Sequence, residues 1–433
     1  MNRKNIIFKN VSLGVFYKII NMGIVFTTIP LLLNYLEKEQ YGIWVTIFSL
    51  VNIVFFVDAG IGNGLKTKLS EALSLQNFKL AKSYISTAYI SIFLISIVVL
   101  CIGICCIFFI NLQELFNTAI PESELKKVLF VTLFLVITSF VLNLYKSFYY
   151  ANQQAAKVEL AMLIYQASVL ISTAVLLRFF PRELLFVALF YGTLNIIVGF
   201  IFTLLFFKKN KKIKPSFNSF SKEKVKDLMG LSLAFFGIQL CMIIIFTTDN
   251  LIISNLLGPS EVTNYDVVYK LFQVAITISV IAQDPLWALY TDAFQKKDFV
   301  WIKKTIIRLN KIFIAFIFII TGLFFASKPI IKLWIQRDLE IASSLILFMS
   351  IFVLIRVYGT VYMTFLNSIG KVKLQFCLYF LGAIINIPLS IYFVKTFNLG
   401  SSGVILGTIF SILSLSLILP IQTFKILKKN EAN

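Results

Sequence analysis

Apolar runs of about 20 residues recur from one end of this chain to the other, and each is long enough to cross a hydrocarbon core about 30 Å thick as a helix. Charged residues make up only 14% of the chain, against roughly 25% in globular domains, and they gather between the runs. Twelve runs are distinguishable, from Val11–Leu33 and Tyr41–Gly64 at the start to Val372–Val394 and Ser401–Phe424 at the end. The gaps are short and leave no room for a soluble domain. The expected fold is an all-α integral membrane protein with twelve transmembrane helices. The apolar region after MNRKN is longer than a signal-peptide core and no small-residue cleavage site follows it, so the first run is expected to stay as a span.

Near the midpoint, Lys208 to Lys226 reads KKNKKIKPSFNSFSKEKVK and carries eight lysines. A block of like charges cannot enter hydrocarbon and must lie in water between two spans. It divides the chain into an N-terminal half (1–207), a basic linker (208–227) and a C-terminal half (228–433). The formal net charge of +20 is therefore read as topology, not as nucleic-acid binding. When basic residues are assigned to alternate ends of the spans, one side receives about three for each on the other, and the richer side is cytoplasmic. The linker and both termini fall on that side, as an even number of spans requires. The other side carries Glu37, Glu39, Glu114, Glu122, Glu124, Asp338 and Glu340, read as a solvated rim.

The five cysteines lie inside apolar runs, with Cys101 and Cys105 on one helix face. No histidine is present to complete a metal site or to act as the commonest general acid–base group. No metal or cofactor is expected. With these boundaries no external loop exceeds roughly 17 residues, and no clustered pair of exposed carboxylates is seen. An enzyme acting on sugars is not expected.

Sliding the chain on itself by 221 residues lays Gly62–Ile85 over Gln283–Ile306 without a gap. Leu65, Ala72, Phe78, Lys82 and Ile85 then meet Leu286, Ala293, Phe299, Lys303 and Ile306, and Asn77 meets Asp298. A looser match sets Ser147–Leu160 against Thr364–Phe376, with Lys157 answering Lys373. Each half thus has six spans and an amphipathic cytoplasmic linker between its second and third. An even number per half gives two six-helix bundles of like orientation, related by a pseudo-twofold along the membrane normal, with a cavity expected between them.

The pattern EKEQYGIWVTIFSLVNIVFFVDAGIGNGLKTKLSEA (Glu37–Ala72) resembles the start of the polysaccharide transporters, the O-antigen and capsule repeat-unit flippases. That family shares a superfamily with the multidrug and toxin extrusion exporters and the lipid II flippases. TTDNLIISNLLGPSEVTNYDVVYKLFQ (Thr247–Gln273) resembles the corresponding stretch of its second half. The resemblance implies a flippase of the bacterial cytoplasmic membrane that carries undecaprenyl-pyrophosphate-linked oligosaccharide from the cytoplasmic to the outer leaflet. It implies as partners that lipid-linked oligosaccharide, membrane lipids, and a polysaccharide polymerase with other assembly proteins. It supplies no invariant catalytic set. The competing reading is an ion-coupled exporter of small amphipathic cations, which would want an acidic cavity.

Ionisable groups at membrane depth are costly and face a cavity or a partner. For substrate binding these are Lys18 in the first span, Arg356 in the tenth and Asp58 at the inner end of the second. Lys18 and Arg356 either snorkel, pair with Asp58, or hold the pyrophosphate and acidic sugars. Asp58 opens DAGIGNG, read as a helix end or a close-packing segment beside a weak phosphate-loop reading. For coupling to a proton or sodium gradient they are Asp249, Asp266, Lys270 and Asp284. Asp266 and Lys270 lie four apart and can neutralise each other on one helix. Asp284-Pro285 reads as a bend or helix end.

Overall fold

In lipid every backbone N–H and C=O must find its partner within the chain, which makes helices the answer for segments this apolar. The computed structural model describes residues 3–58, 60–229, 233–283 and 286–431. The chain divides into two compact units, Met1–Phe236 and Gly237–Asn433.

The first unit opens with α1 (Arg3–Asn52), helical except at Glu37, where φ 63° and ψ 177° break it into two arms. The break is clamped from outside. Arg182 donates to the Glu37 carboxylate, and Thr118 donates to Glu39 at 2.6 Å. There follow α2 (Ile61–Ser74), α3 (Phe78–Phe109), the short α4 (Leu112–Phe116), α5 (Glu122–Leu142), α6 (Leu144–Ala151), α7 (Ala155–Phe179), α8 (Leu184–Lys209) and α9 (Lys222–Met229). The second unit holds most of α10 (Leu233–Leu257), then α11 (Pro259–Gln283), α12 (Leu286–Gln295), α13 (Phe299–Ile335), α14 (Ser343–Ser368), α15 (Lys373–Phe397) and α16 (Ser401–Glu431). Among the described residues eleven stretches have the length and hydropathy of a membrane span. The first, Ser12–Phe55, contains the Glu37 bend and crosses twice, which gives twelve crossings.

The second crossing ends earlier than its apolarity suggests. A 3-10 turn closes it at Ile53–Phe56, and α2 starts at Ile61 rather than the span continuing to Gly64. Asp58 causes this. Its Oδ1 accepts from the Gly60 amide (2.9 Å) and its Oδ2 from the Gly62 amide (3.0 Å), so the carboxylate caps the new helix. Gly60 sits in the left-handed region at φ 77°, which a glycine adopts without steric cost. α2 then buries Ile61, Gly64, Leu65, Leu69 and Ala72 on one face, at the spacing of an amphipathic helix. Gly64 is a close-packing position, since a Cβ there would overlap the Leu228 carbonyl.

The turn after α2 recurs after α12 in the same register. Gln76 (φ 53°) and Lys297 (φ 59°) occupy the left-handed position. The amides of Asn77 and Asp298 reach back to Ala72 and Ala293, both at 2.9 Å. The side chains of Asn77 and Asp298 then cap α3 and α13, accepting from Leu80 and Trp301 at 3.0 Å each. The looser repeat needs a correction of one residue. Gln154 N to Tyr149 O (2.8 Å) corresponds to Lys371 N to Leu366 O (2.9 Å), with Gln153 (φ 57°) answering Gly370 (φ 71°). The turn hydrogen bonds fix an offset of 217, so Lys157 stands against Leu374, not Lys373.

The basic linker is strapped down and does not hang free. The Ser216 amide donates to Ser86 Oγ (3.0 Å) and the Ser221 amide to Thr87 Oγ1 (3.2 Å), both on α3. Ile213 and Leu228 are buried. Lys212 lies over the Phe78 ring and Lys224 over the Tyr84 ring, each at 5.2 Å. Lys224 Nζ (3.2 Å) and Tyr84 OH (3.1 Å) both donate to Asp227. Those bonds hold the Asp227 carboxyl below the usual range.

Candidate functional site

Buried polar groups in the second unit converge on Asp249. Helix α10 presents it, and it is 3% exposed. Tyr265 on α11 donates to its Oδ2 at 2.7 Å, and Thr408 on α16 lies 3.1 Å from both oxygens. Asn386 on α15 donates to Thr408 Oγ1 at 3.2 Å. This meeting depends on how closely α15 and α16 pack. A Cβ on Gly382 would overlap the Ser411 carbonyl, and one on Gly407 would lie 2.8 Å from the Ser390 amide nitrogen. Small residues let the two backbones approach, and the approach puts Thr408 within reach of both partners. The result is a carboxylate surrounded by neutral donors, with no Lys or Arg bonded to it among the described residues.

Arg356 on α14 is half-buried and held by aromatic rings. Its guanidinium carbon lies 4.4 Å from the centroid of Phe246 and 5.8 Å from that of Phe352, and Nη1 reaches the Tyr269 hydroxyl at 3.5 Å. Planar guanidinium stacks well on rings. Among the described residues no carboxylate bonds to it. Tyr269 and Tyr265 stack one turn apart on α11, with centroids 6.4 Å apart and planes at 10°. Asp249 and Arg356 are thus the two ends of one line of contacts through α11.

The other expected residues fall elsewhere. Asp266 is buried on α11 at 6% exposure, and Lys270 is half-buried on the next turn. Lys18, in the first arm of α1, does not pair with Asp58. It faces Glu159 on α7 at 3.8 Å, with side-chain exposures of 34% and 13%. Asp58, a substrate-binding candidate that was also read as a helix end, caps α2, with both oxygens accepting from backbone amides. Asp284 lies outside the described residues. Glu159 carries no sequence signal that pairs it with Lys18, because the two are far apart in the chain. Asn386 and Thr408 are not legible in the sequence, because neutral polar residues in apolar runs carry no charge signal.

The family described as polysaccharide biosynthesis protein matches residues 7–283, and the MatE family matches 235–392. A Salmonella typhimurium protein provisionally described as an O-antigen transporter is 28% identical over 418 residues, covering 91% of this chain and 90% of that protein. Among solved structures, a multidrug resistance MATE family transporter in an inward-facing conformation superposes with a TM-score of 0.76 at 14% identity, covering all of both chains. A MOP superfamily transporter from Pyrococcus furiosus gives 0.70 at 13% identity, covering 100% of this chain and 97% of that one. At such identities the structures establish the fold, whereas the family match spans well over half the sequence. The chain belongs to the polysaccharide biosynthesis protein family, the polysaccharide-transporter branch of the superfamily that also contains the multidrug exporters.

Proposed function

We propose that this protein flips an undecaprenyl-pyrophosphate-linked oligosaccharide, a repeat unit of O-antigen, capsule or another surface polysaccharide. Transport runs from the cytoplasmic to the outer leaflet of the bacterial cytoplasmic membrane by alternating access. Both termini and the basic linker lie in the cytoplasm, and a polysaccharide polymerase takes the delivered unit. The observation that carries the reading is Arg356, a cation at membrane depth held on rings and bonded to no carboxylate among the described residues. A planar fork with no carboxylate on it suits phosphate oxygens, which accept two parallel N–H bonds. The O-antigen transporter relative supports the same substrate class.

Asp249 supplies the coupling. An ionised carboxylate held this deep costs several kcal/mol unless something neutralises it. A proton or a sodium ion from the outer side does so, and the stacked tyrosines of α11 carry the change toward Arg356. In proteoliposomes with a fluorescent lipid-linked oligosaccharide, the wild type should flip the lipid faster when a proton or sodium gradient is imposed. Asp249→Asn should keep slow downhill flipping and lose the gradient response. If the wild type leaves this lipid unflipped and accumulates tetraphenylphosphonium instead, the protein is a cation exporter and the proposal fails.

A further inference from the structure

Helix α13 is thinly covered for its length. Its 37 residues run about 55 Å at about 1.5 Å each, against the roughly 30 Å of hydrocarbon it must cross. Only 6% of its most apolar window is buried, the lowest share among the eleven span-like stretches. Phe318, Phe325 and Leu333 are 73%, 74% and 80% exposed. In a bilayer an apolar face this bare takes lipid chains. The apolar run ends at Ala326, so Lys328 and Lys332 stand within two turns beyond it, where headgroups lie.

At that end is a cavity of about 290 Å³, against the roughly 10–15 Å³ that one water needs. Its lining comes from the last turns of α13 and from residues 337–341 beyond them. Gln336, in the left-handed region at φ 57°, ends the helix between the two. The segment is tied down. The Glu340 carbonyl accepts from Asn264 Nδ2 on α11 at 3.2 Å, and Lys332 Nζ pairs with Asp338 at 2.9 Å. Lys328 Nζ donates to Ser343 Oγ at 2.9 Å, which joins α13 to the start of α14.

Five charged side chains line the cavity, and they do not all cancel in place. Lys332 and Asp338 neutralise each other. Arg337 is half-buried and Glu340 exposed, and both line the cavity. Among the described residues neither is bonded to an opposite charge. A guanidinium and a carboxylate that share one cavity without bonding each other suit a ligand that carries both signs.

We propose that this cavity holds the headgroup of a phosphoethanolamine lipid. Arg337 takes the phosphate oxygens through its fork, Lys328 adds a point charge, and Glu340 takes the ammonium. The acyl chains lie along the bare face of α13. A pyrophosphate would set several negative charges against Glu340 and Asp338. A phosphoglycerol head has no cation to offer Glu340. On the topology predicted from the lysines the lipid sits in the outer leaflet, and the site does not depend on which substrate the protein carries.

The test uses the full-length protein in detergent, titrated with phosphatidylethanolamine, phosphatidylglycerol and phosphatidylcholine of identical chains, and read by native mass spectrometry. The wild type should retain the ethanolamine lipid about tenfold better than either of the others, because a choline head cannot donate a hydrogen bond to Glu340. Arg337→Gln should weaken the ethanolamine lipid about tenfold. Glu340→Gln should weaken it too, and should bind phosphatidylglycerol at least as well as phosphatidylethanolamine. Melting temperatures without lipid should match the wild type in both variants, since neither side chain bonds an opposite charge among the described residues. If the wild type shows no preference, or both variants keep it, the site does not exist. If undecaprenyl pyrophosphate displaces the ethanolamine lipid at equal concentration and needs Arg337 to do so, the cavity belongs to the transported lipid and the proposal fails.

Discussion

Arg356 and Lys18 are both cations at membrane depth, yet their surroundings predict different consequences for their loss. Arg356 stacks on Phe246 and Phe352 and satisfies no buried acid among the described residues. Arg356→Gln should therefore leave the amount of folded protein unchanged while reducing flipping at least tenfold. Arg356→Lys should not restore transport, because a lysine point charge lacks the bidentate fork. Lys18 stands beside Glu159, whose side chain is 13% exposed, while Lys18 itself is 34% exposed. Its removal takes one cation away from a mostly buried carboxylate in a half-wet pair, so the cost is about 1 kcal/mol, closer to a surface pair than to a buried one. Lys18→Gln should lower thermal stability in detergent, and adding Glu159→Gln should recover it. A Lys18→Gln protein of full stability that no longer transports would make Lys18 a substrate contact instead. From sequence both residues looked alike, because their depth is legible and their partners are not.

The short connecting elements carry a record of the duplicated plan. Gln76 and Lys297 hold the same left-handed position after α2 and α12, and neither is the glycine usual there. A residue with a Cβ in that conformation costs about 1 kcal/mol. Gln76→Gly and Lys297→Gly should each raise the apparent melting temperature slightly, by relief of about 0.5–1 kcal/mol. Gln76→Val should lower it, since a β-branched side chain tolerates that region least. Two unchanged glycine variants would mean that the turns are not under strain. The repeat was legible because Asn77 and Asp298 are both capping residues followed by the same apolar spacing. The end of the second crossing was half legible: Asp58 and its glycines read as a helix end, but apolarity alone carries the span on to Gly64, and only the carboxylate accepting from two glycine amides shows where α2 begins. The Asp249 cluster was half legible. Its acid stood out in an apolar run, but Thr408 and Asn386 join it only because glycines bring α15 and α16 together.

At the scale of the molecule, the alternation of spans makes a claim that the contacts within each unit can check. Residues assigned to one face must meet one another and never those of the other face. Glu37 meets Arg182 and Glu39 meets Thr118 at one end of the first unit. At the other end Lys66 lies over the Tyr150 ring at 4.9 Å, Ser147 donates to Gly62 O at 2.9 Å, and Ser86 accepts from the linker amide of Ser216. In the second unit Ser401 donates to Glu261 at 2.5 Å at one end, and Thr291 donates to Ser368 O at 3.0 Å at the other. Each pairing is the one that twelve crossings require, and a missed or extra span would have brought opposite faces together. The excess of lysine at one end predicts that this end faces the cytoplasm. Alkaline phosphatase fused after Lys212 should be inactive, and a fluorescent protein at the same point should fold and glow. The same phosphatase inserted after Asp338, in the segment between α13 and α14, should be active outside the membrane. Activity after Lys212 with none after Asp338 would invert the whole molecule. It would also put Arg356 and Lys18 at the end of the protein where a substrate made in the cytoplasm never arrives, so the transport reading and the topology stand or fall on one pair of fusions.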